Sequence, residues 1–228
     1  MVHSHSSEHT AHTHHNMSDI ESIVRGLNLP ENVKEDVLAV YRLIAEAESA
    51  VHGKPVTEIH FHEVGNLDAI ADISAVCLLM NEIKADKIIA TPIHVGSGEV
   101  RCAHGILPVP APATAYLLKN IPIYGGSIRG ELCTPTGAAL LRHFVVSYGN
   151  MSVMSTKKIG YGVGKKDFER ANVLRIILGS SFEENNKTGL TSQGQVLELS
   201  CNLDDMTPEQ IGFAMEILLK KGALDVYT

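Results

Sequence analysis

Residues 56–95 read VTEIHFHEVGNLDAIADISAVCLLMNEIKADKIIATPIHV, and this stretch decides the fold. Its opening, VTEIHFHEV, alternates with a period of two, the signature of a strand of about six residues ended by Gly65. From Leu67 to Ile83 apolar residues recur nearly all round a helical projection, which predicts a helix. KIIATPIHV is β-like again. Strand, helix, strand is the repeating unit of an α/β fold, with α+β as the alternative.

Toward the N-terminus, Val33, Val37, Val40, Tyr41, Ile44 and Val51 line one face of a predicted helix from Pro30 to Val51. Before it, S-D-I-E at Ser18 has capping-box spacing and opens a short helix through Ile20, Ile23, Val24 and Leu27. Residues 1–16, MVHSHSSEHTAHTHHN, carry His3, His5, His9, His12, His14 and His15 of the chain's 12 histidines and no apolar periodicity. They are expected to be a disordered tail. Their spacing, broken by Ser, Glu, Thr and Ala, argues against a purification tag and suits a metal-loading tail for a divalent ion such as Ni²⁺.

Toward the C-terminus, GSGEVRCAHGILPVPAPAT (96–114) reads as a loop whose prolines form a rigid extended wall. Helix signals follow at Ala113–Leu118 and Pro135–Tyr148. KKIGYGVGKKDF (157–168) reads as a flexible basic turn and NVLRIILG (172–179) as a strand. In the last segment, Thr207, Pro208 and Gln210 form a capping box with proline at the first helical position, and GALDVYT opens another strand. The expected organisation is a tail over 1–16, a core α/β domain over 17–180 with a mixed sheet flanked by helices, a linker over 181–194, and the start of a truncated α+β domain over 195–228.

Composition narrows the function classes. With 26 acidic against 19 basic residues, a formal charge of −7, the chain lacks the broad basic face that binds a phosphate backbone. No apolar run approaches the ~20 residues that span a bilayer, so neither nucleic acid nor membrane is expected as partner. The 4 cysteines, Cys77, Cys102, Cys133 and Cys201, form no CxxC pair, and the N-terminus has no apolar signal core. A reduced, cytoplasmic protein is expected.

Three constellations carry chemistry. In a strand His60 and His62 share a face opposite Ile59 and Phe61, a geometry that suits a metal. Glu63 joins them if the chain turns at Val64-Gly65, and Asp68 and Asp72 lie one helical turn apart on the next element. On an apolar helix an aspartate needs a partner, because an unpaired buried carboxylate is costly. The plainer readings are an exposed strand face for the histidines and a helix-dipole preference for Asp68.

In the second, Gly96, Ser97 and Gly98 let backbone N–H groups approach an oxyanion, and Arg101 adds a cation. Cys102 and His104 offer a thiolate or imidazole nearby. In the third, Thr134, Thr136 and Gly137 mark a helix start able to meet an anion, with plain N-capping as the alternative.

Taken in order, HFHEVGNLDAIADI, GSGEVRCAHGILPVPAPAT, ELCTPTGAALL, IGYGVGKKDF, NVLRIILG and NLDDMTPEQIGFAMEILLKKGALDV resemble the motifs of the LarC family over roughly residues 17–228. That family inserts nickel into pyridinium-3,5-bisthiocarboxylic acid mononucleotide, making the nickel-pincer cofactor of lactate racemase. The resemblance implies a lyase-type, CTP-dependent cyclometallase in which Mn²⁺ or Mg²⁺ assists the nucleotide step, bound by a C-terminal domain that this chain lacks. It further implies a homo-oligomer, a partial form of the protein, and a separate C-terminal polypeptide as partner.

On this reading nickel is held by His60, His62, Glu63, Asp68 and Asp72, His104 and Asp72 act catalytically, and the mononucleotide lies on Gly96, Ser97, Gly98, Arg101, Thr134, Thr136 and Gly137. The rival readings are a non-enzymatic nickel chaperone or storage module and a metal-dependent hydrolase of a phosphorylated small molecule.

Overall fold

The computed structural model describes residues 15–61, 65–102, 105–181 and 207–226, with only the backbone of His60. The chain divides into two compact units, residues 1–184 and 185–228.

In the first unit the centre is helix α2 (Glu31–His52). Val33, Val37, Leu38, Val40, Tyr41, Ile44, Ala45 and Ala47 on it are fully buried. Four helices pack on it: α1 (Met17–Gly26), α3 (Leu67–Ile83), α4 (Pro112–Leu117) and α5 (Pro135–Phe144). Burying each such aliphatic side chain contributes about 1.5–3 kcal/mol, so this contact dominates the unit's stability. The amphipathic stripe stops short of its expected end, because Val51 is exposed.

Polar groups tie these helices together. The Asp36 carboxylate of α2 meets His143 Nε2 of α5 at 2.9 Å. Arg142 of α5 donates to the carbonyls of Leu117 and Lys119 at 2.9 and 3.2 Å, satisfying the open C-terminal end of α4. Arg25 at the end of α1 pairs with Glu31 and, at 2.7 Å, with Glu35 on α2.

Helix α1 starts earlier than the S-D-I-E spacing suggests. Asn16 is the cap: its side chain accepts from Asp19 N at 3.0 Å while the Asp19 carboxylate accepts from Asn16 N at 3.0 Å. Both spacings satisfy the same local rule, and the strand pairing of His15–Asn16 with His60–Phe61 selects the earlier one. Two residues assigned to the tail are therefore part of the fold.

The mixed α/β character is present, with described strands that pair two at a time and, outside the hairpin of Met154–Val163 with Val173–Ser181, are short. Val56–Glu58 forms a 3₁₀ turn, and among the described residues of the expected six-residue strand only His60–Phe61 is paired as a strand. Ile59 and Phe61 are nevertheless buried, as the alternation requires, and Phe61 meets the Tyr41 ring edge-on at 5.7 Å. KIIATPIHV splits into Ile89–Ala90, parallel to Ser147–Tyr148, and Ile93–His94, parallel to Ile123–Tyr124. The pairing at Ser147–Tyr148 is why α5 stops at Phe144 instead of running to Tyr148.

Two further expectations are corrected. LPVPAPAT is not an uninterrupted extended wall: Leu107 and Pro108 belong to a strand, and Pro112 starts α4 at the first helical position, where its missing N–H costs nothing. KKIGYGVGKKDF is not a loose turn, because Met154–Val163 is a strand antiparallel to Val173–Ser181. Asn172 and Gly164 close that hairpin through a 2.8 Å bond from Gly164 N to Asn172 O.

In the second unit, helix α6 (Pro208–Lys220) begins with the expected capping box, Thr207 with Gln210. Gly222–Val226 contains no strand. The QVLELS segment and most of the expected linker lie outside the described residues.

Candidate functional site

The candidate site is built where two glycine-rich loops close on each other. Ile93–Ser97 runs between two partners: Ile93 N and Val95 N donate to Pro122 O and Tyr124 O on one side, and Leu132 N donates to Val95 O on the other. Gly96 and Ser97 pair antiparallel with Glu131 and Gly130. The Ser97 hydroxyl donates to the Ile128 carbonyl at 2.8 Å. Gly96 is buried with φ +87°, and a Cβ there would overlap the Gly130 carbonyl oxygen, so both the backbone angle and the contact demand glycine.

This pairing joins two constellations that are separate in sequence. Glu131, the partner of Gly96, lies three residues before Thr134, no more than about 11 Å of chain. Thr134 caps α5, its hydroxyl accepting from Gly137 N at 3.2 Å, and Pro135 sits at the first helical position. Thr134 is exposed, and Thr136 and Gly137 are half-buried. Thr134 thus performs the plain capping role, and the helix start follows a few residues after the strand that pairs with Gly96 and Ser97.

Between these features Cys133 is buried, and burial together with the Glu131 charge pushes its thiol up to about 11. Cys77 on α3 is pushed up to about 12 by burial and by Asp36. Both thiols stay protonated at neutral pH in the metal-free chain.

Sequence reasoning missed the second loop, Tyr124–Gly130. It also missed Arg129, whose Cγ would lie 4.0 Å from a Cβ on Gly98. Among the described residues neither Arg129 nor Arg101 has an ion-pair or hydrogen-bond partner, so both exposed guanidinium groups remain available to an anion. The signal was there in YGGSIRG, three glycines and an arginine after a β-like run, which is as glycine-rich as GSGEVR.

The candidate metal residues fare differently. His62, Glu63 and His104 lie outside the described residues, as does the side chain of His60. Asp68 and Asp72 are both exposed on α3, so the argument that a buried carboxylate demands a partner does not apply to them. What the fold does provide is proximity. Gly65 packs against Phe61, where a Cβ would come within 2.7 Å of Phe61 Cβ, and Asn66 then caps α3 by accepting from Ala69 N at 2.8 Å. Phe61 and Gly65 thus meet two residues before α3, which carries Asp68 in its first turn. Among the described residues, no three His, Cys, Asp or Glu side chains converge as a metal site. No described helix is long and apolar enough to cross a membrane.

Comparison with known proteins follows this geometry. The family model described as nickel insertion protein matches residues 1–228. A pyridinium-3,5-bisthiocarboxylic acid mononucleotide nickel insertion protein of Staphylococcus saprophyticus is 42% identical over 217 residues, 95% of this chain and 54% of that protein. Proteins of the same name from Desulfitobacterium hafniense and Clostridium acetobutylicum are 41% and 46% identical, covering 99% and 92% of this chain and 56% and 49% of their own lengths. No solved structure matches. The chain spans about half the length of the curated relatives it matches. Since the match runs through both glycine loops, the α5 start and the HFHEVG segment alike, the chain belongs to the nickel insertion protein family.

Proposed function

We propose that this chain takes part in inserting nickel into pyridinium-3,5-bisthiocarboxylic acid mononucleotide. The paired loops hold the mononucleotide through Gly96, Ser97, Gly98, Arg101 and the Thr134–Gly137 helix start, with Arg129 added to that set. His60, His62, Glu63, Asp68 and Asp72 present the nickel, which is cargo. The observation that supports this reading is the Gly96–Glu131 pairing, which joins two segments some 35 residues apart in sequence, with Arg101 and Arg129 having no partner among the described residues.

The reaction follows as a cyclometallation. Nickel is taken between two sulfur donors, a ring C–H bond breaks as the nickel–carbon bond forms, and the released proton passes to a base, a role suited to His104 or Asp72. CTP with Mn²⁺ or Mg²⁺ would activate the precursor, and we assign its binding to the half of the relatives that this chain does not span. A separate polypeptide and a homo-oligomer, in a reduced cytoplasm, complete this reading.

One observation bears on the histidine-rich segment. His15 and Asn16 pair with Phe61 and His60, so whatever metal the preceding histidines collect is tethered beside HFHE. This favours a loading arm over an independent storage module.

The test is mass spectrometry of the mononucleotide after incubation with the nickel-loaded chain, a polypeptide covering the half of a relative that this chain does not span, CTP and Mg²⁺. A nickel-bearing mononucleotide is expected. Metal retained on the protein with unchanged mononucleotide would instead identify a storage module, and dephosphorylated product without nickel would identify a hydrolase.

A further inference from the structure

We infer that the stacked rings of His94 and Tyr124 form a seat for the pyridinium ring of the mononucleotide, next to the loop that holds its phosphate. This rests on the function proposed above and names which part of the ligand goes where.

His94 and Tyr124 are register partners on the parallel strands Ile93–His94 and Ile123–Tyr124. Their rings stack with centroids 4.5 Å apart and planes 10° from parallel. His94 is held in that pose by a 3.0 Å bond between Nε2 and the Gly125 carbonyl. A carbonyl only accepts, so Nε2 carries the proton and Nδ1 is left as the acceptor of the neutral ring. The loop makes room for the imidazole at Gly126, at φ +64°, where a Cβ would overlap His94 Nε2.

A ring fixed in this way leaves Tyr124 with one covered face, yet Tyr124 is 50% exposed. With His94 stacked on one face, half of the residue still open to solvent leaves surface that a second aromatic ring can use. The electron-rich face of tyrosine attracts a cationic aromatic group by stacking and by its quadrupole. A pyridinium is such a group. Gly96 lies two residues along the strand from His94, about 7 Å, a separation on the order of that between ring and phosphate across a ribose. Gly125 and Gly96 are also in contact across the two loops, since a Cβ on Gly125 would lie 3.2 Å from Gly96 O.

The plainer alternative is a cross-strand aromatic pair that only steadies two short strands. The two differ in what happens to a ligand with a ring and to one without.

The experiment uses the full chain, with nicotinic acid mononucleotide as a pyridinium mononucleotide and ribose 5-phosphate as its ring-less counterpart, both titrated by calorimetry. The chain has 6 tyrosines and no tryptophan, so quenching of tyrosine emission gives a second readout. Wild type is expected to bind the pyridinium mononucleotide at least tenfold more tightly than ribose 5-phosphate, with quenching. Tyr124→Ala and the bulk-retaining Tyr124→Leu should lose that advantage and leave ribose 5-phosphate affinity unchanged, whereas Tyr124→Phe should keep it. Equal binding of the pyridinium mononucleotide by wild type and both truncated variants would overturn the seat and leave the functional reading standing. Equal wild-type affinity for the two ligands would overturn it as well. Failure of wild type to bind either ligand would overturn the seat and the functional reading together.

Discussion

Helix α2 and the paired loops at 96–98 and 124–130 belong to the same unit but are held by different forces. Along α2 eight side chains from Val33 to Ala47 are fully buried against four other helices, so its stability is a sum of apolar contacts that shrinks gradually as atoms are removed. The loops bury little apolar surface. They are joined by strand pairing, one hydroxyl bond and glycines whose backbones touch, an arrangement that one added methyl group breaks. The first region secures the fold and tolerates reshaping; the second, proposed above as the binding surface, does not.

The sharpest way to break this contrast is to remove area from the helical region. Phe61→Ala takes away a buried ring packed edge-on against Tyr41, and we expect a loss of about 3–5 kcal/mol in urea unfolding with the whole unit affected. Gly96→Ala adds about 1–3 kcal/mol from the enforced positive φ to the cost of parting the loops at the Gly130 carbonyl, and should abolish mononucleotide binding while helical circular dichroism is retained. If Gly96→Ala instead bound ligand normally, close backbone approach would not be what shapes the site.

Alkaline pH probes both regions at once. Cys133 beside the loops and Cys77 on α3 have thiols pushed up to about 11 and about 12, and burial also raises Tyr41. These groups hold protons in the folded chain that the unfolded chain gives up above about pH 9, so unfolding releases protons and stability falls as pH rises. Each group contributes a slope of no more than about 1.4 kcal/mol per pH unit, and Cys77→Ala should make the decline shallower between pH 9 and 11. The smallest expected effect is that of Asn16→Ala. It removes the α1 cap at a cost of about 1 kcal/mol, readable as a modest shift in the urea midpoint.

How much of this was legible in the sequence follows the same division. Helix α3 spans Leu67–Ile83 as its periodicity predicts, and the α6 capping box sits where T-P-E-Q places it, because both signals are local. The Asn16 cap was missed because two overlapping segments satisfy one capping rule and only a distant strand, His60–Phe61, separates them. The hairpin of Met154–Val163 hid behind glycines and lysines that mimic a turn until its partner strand is known.

For the site, the GSG and CTPTG segments were each readable, but their adjacency depends on Gly96 meeting Glu131 across the fold. His94 and Tyr124 stood out in neither of their own segments, and only the parallel register of two short strands makes them a pair. Asp68 and Asp72 looked buried because α3 is apolar nearly all round; its buried side carries Ile70, Ile73, Ser74 and Cys77, and both aspartates fall on the other.

The central claim, that of the proposed function, is that nickel is presented by the HFHE segment, with the histidine-rich segment only supplying it. Its most direct test is a Ni²⁺ titration of the full chain against two variants, His60→Ala/His62→Ala and one in which the histidines from His3 to His14 are replaced by serine. The account predicts that the first variant loses the tightest site and the second keeps it with fewer weak ones. The reverse pattern, the tightest site surviving at 60 and 62 replaced and vanishing with the tail histidines, would contradict it.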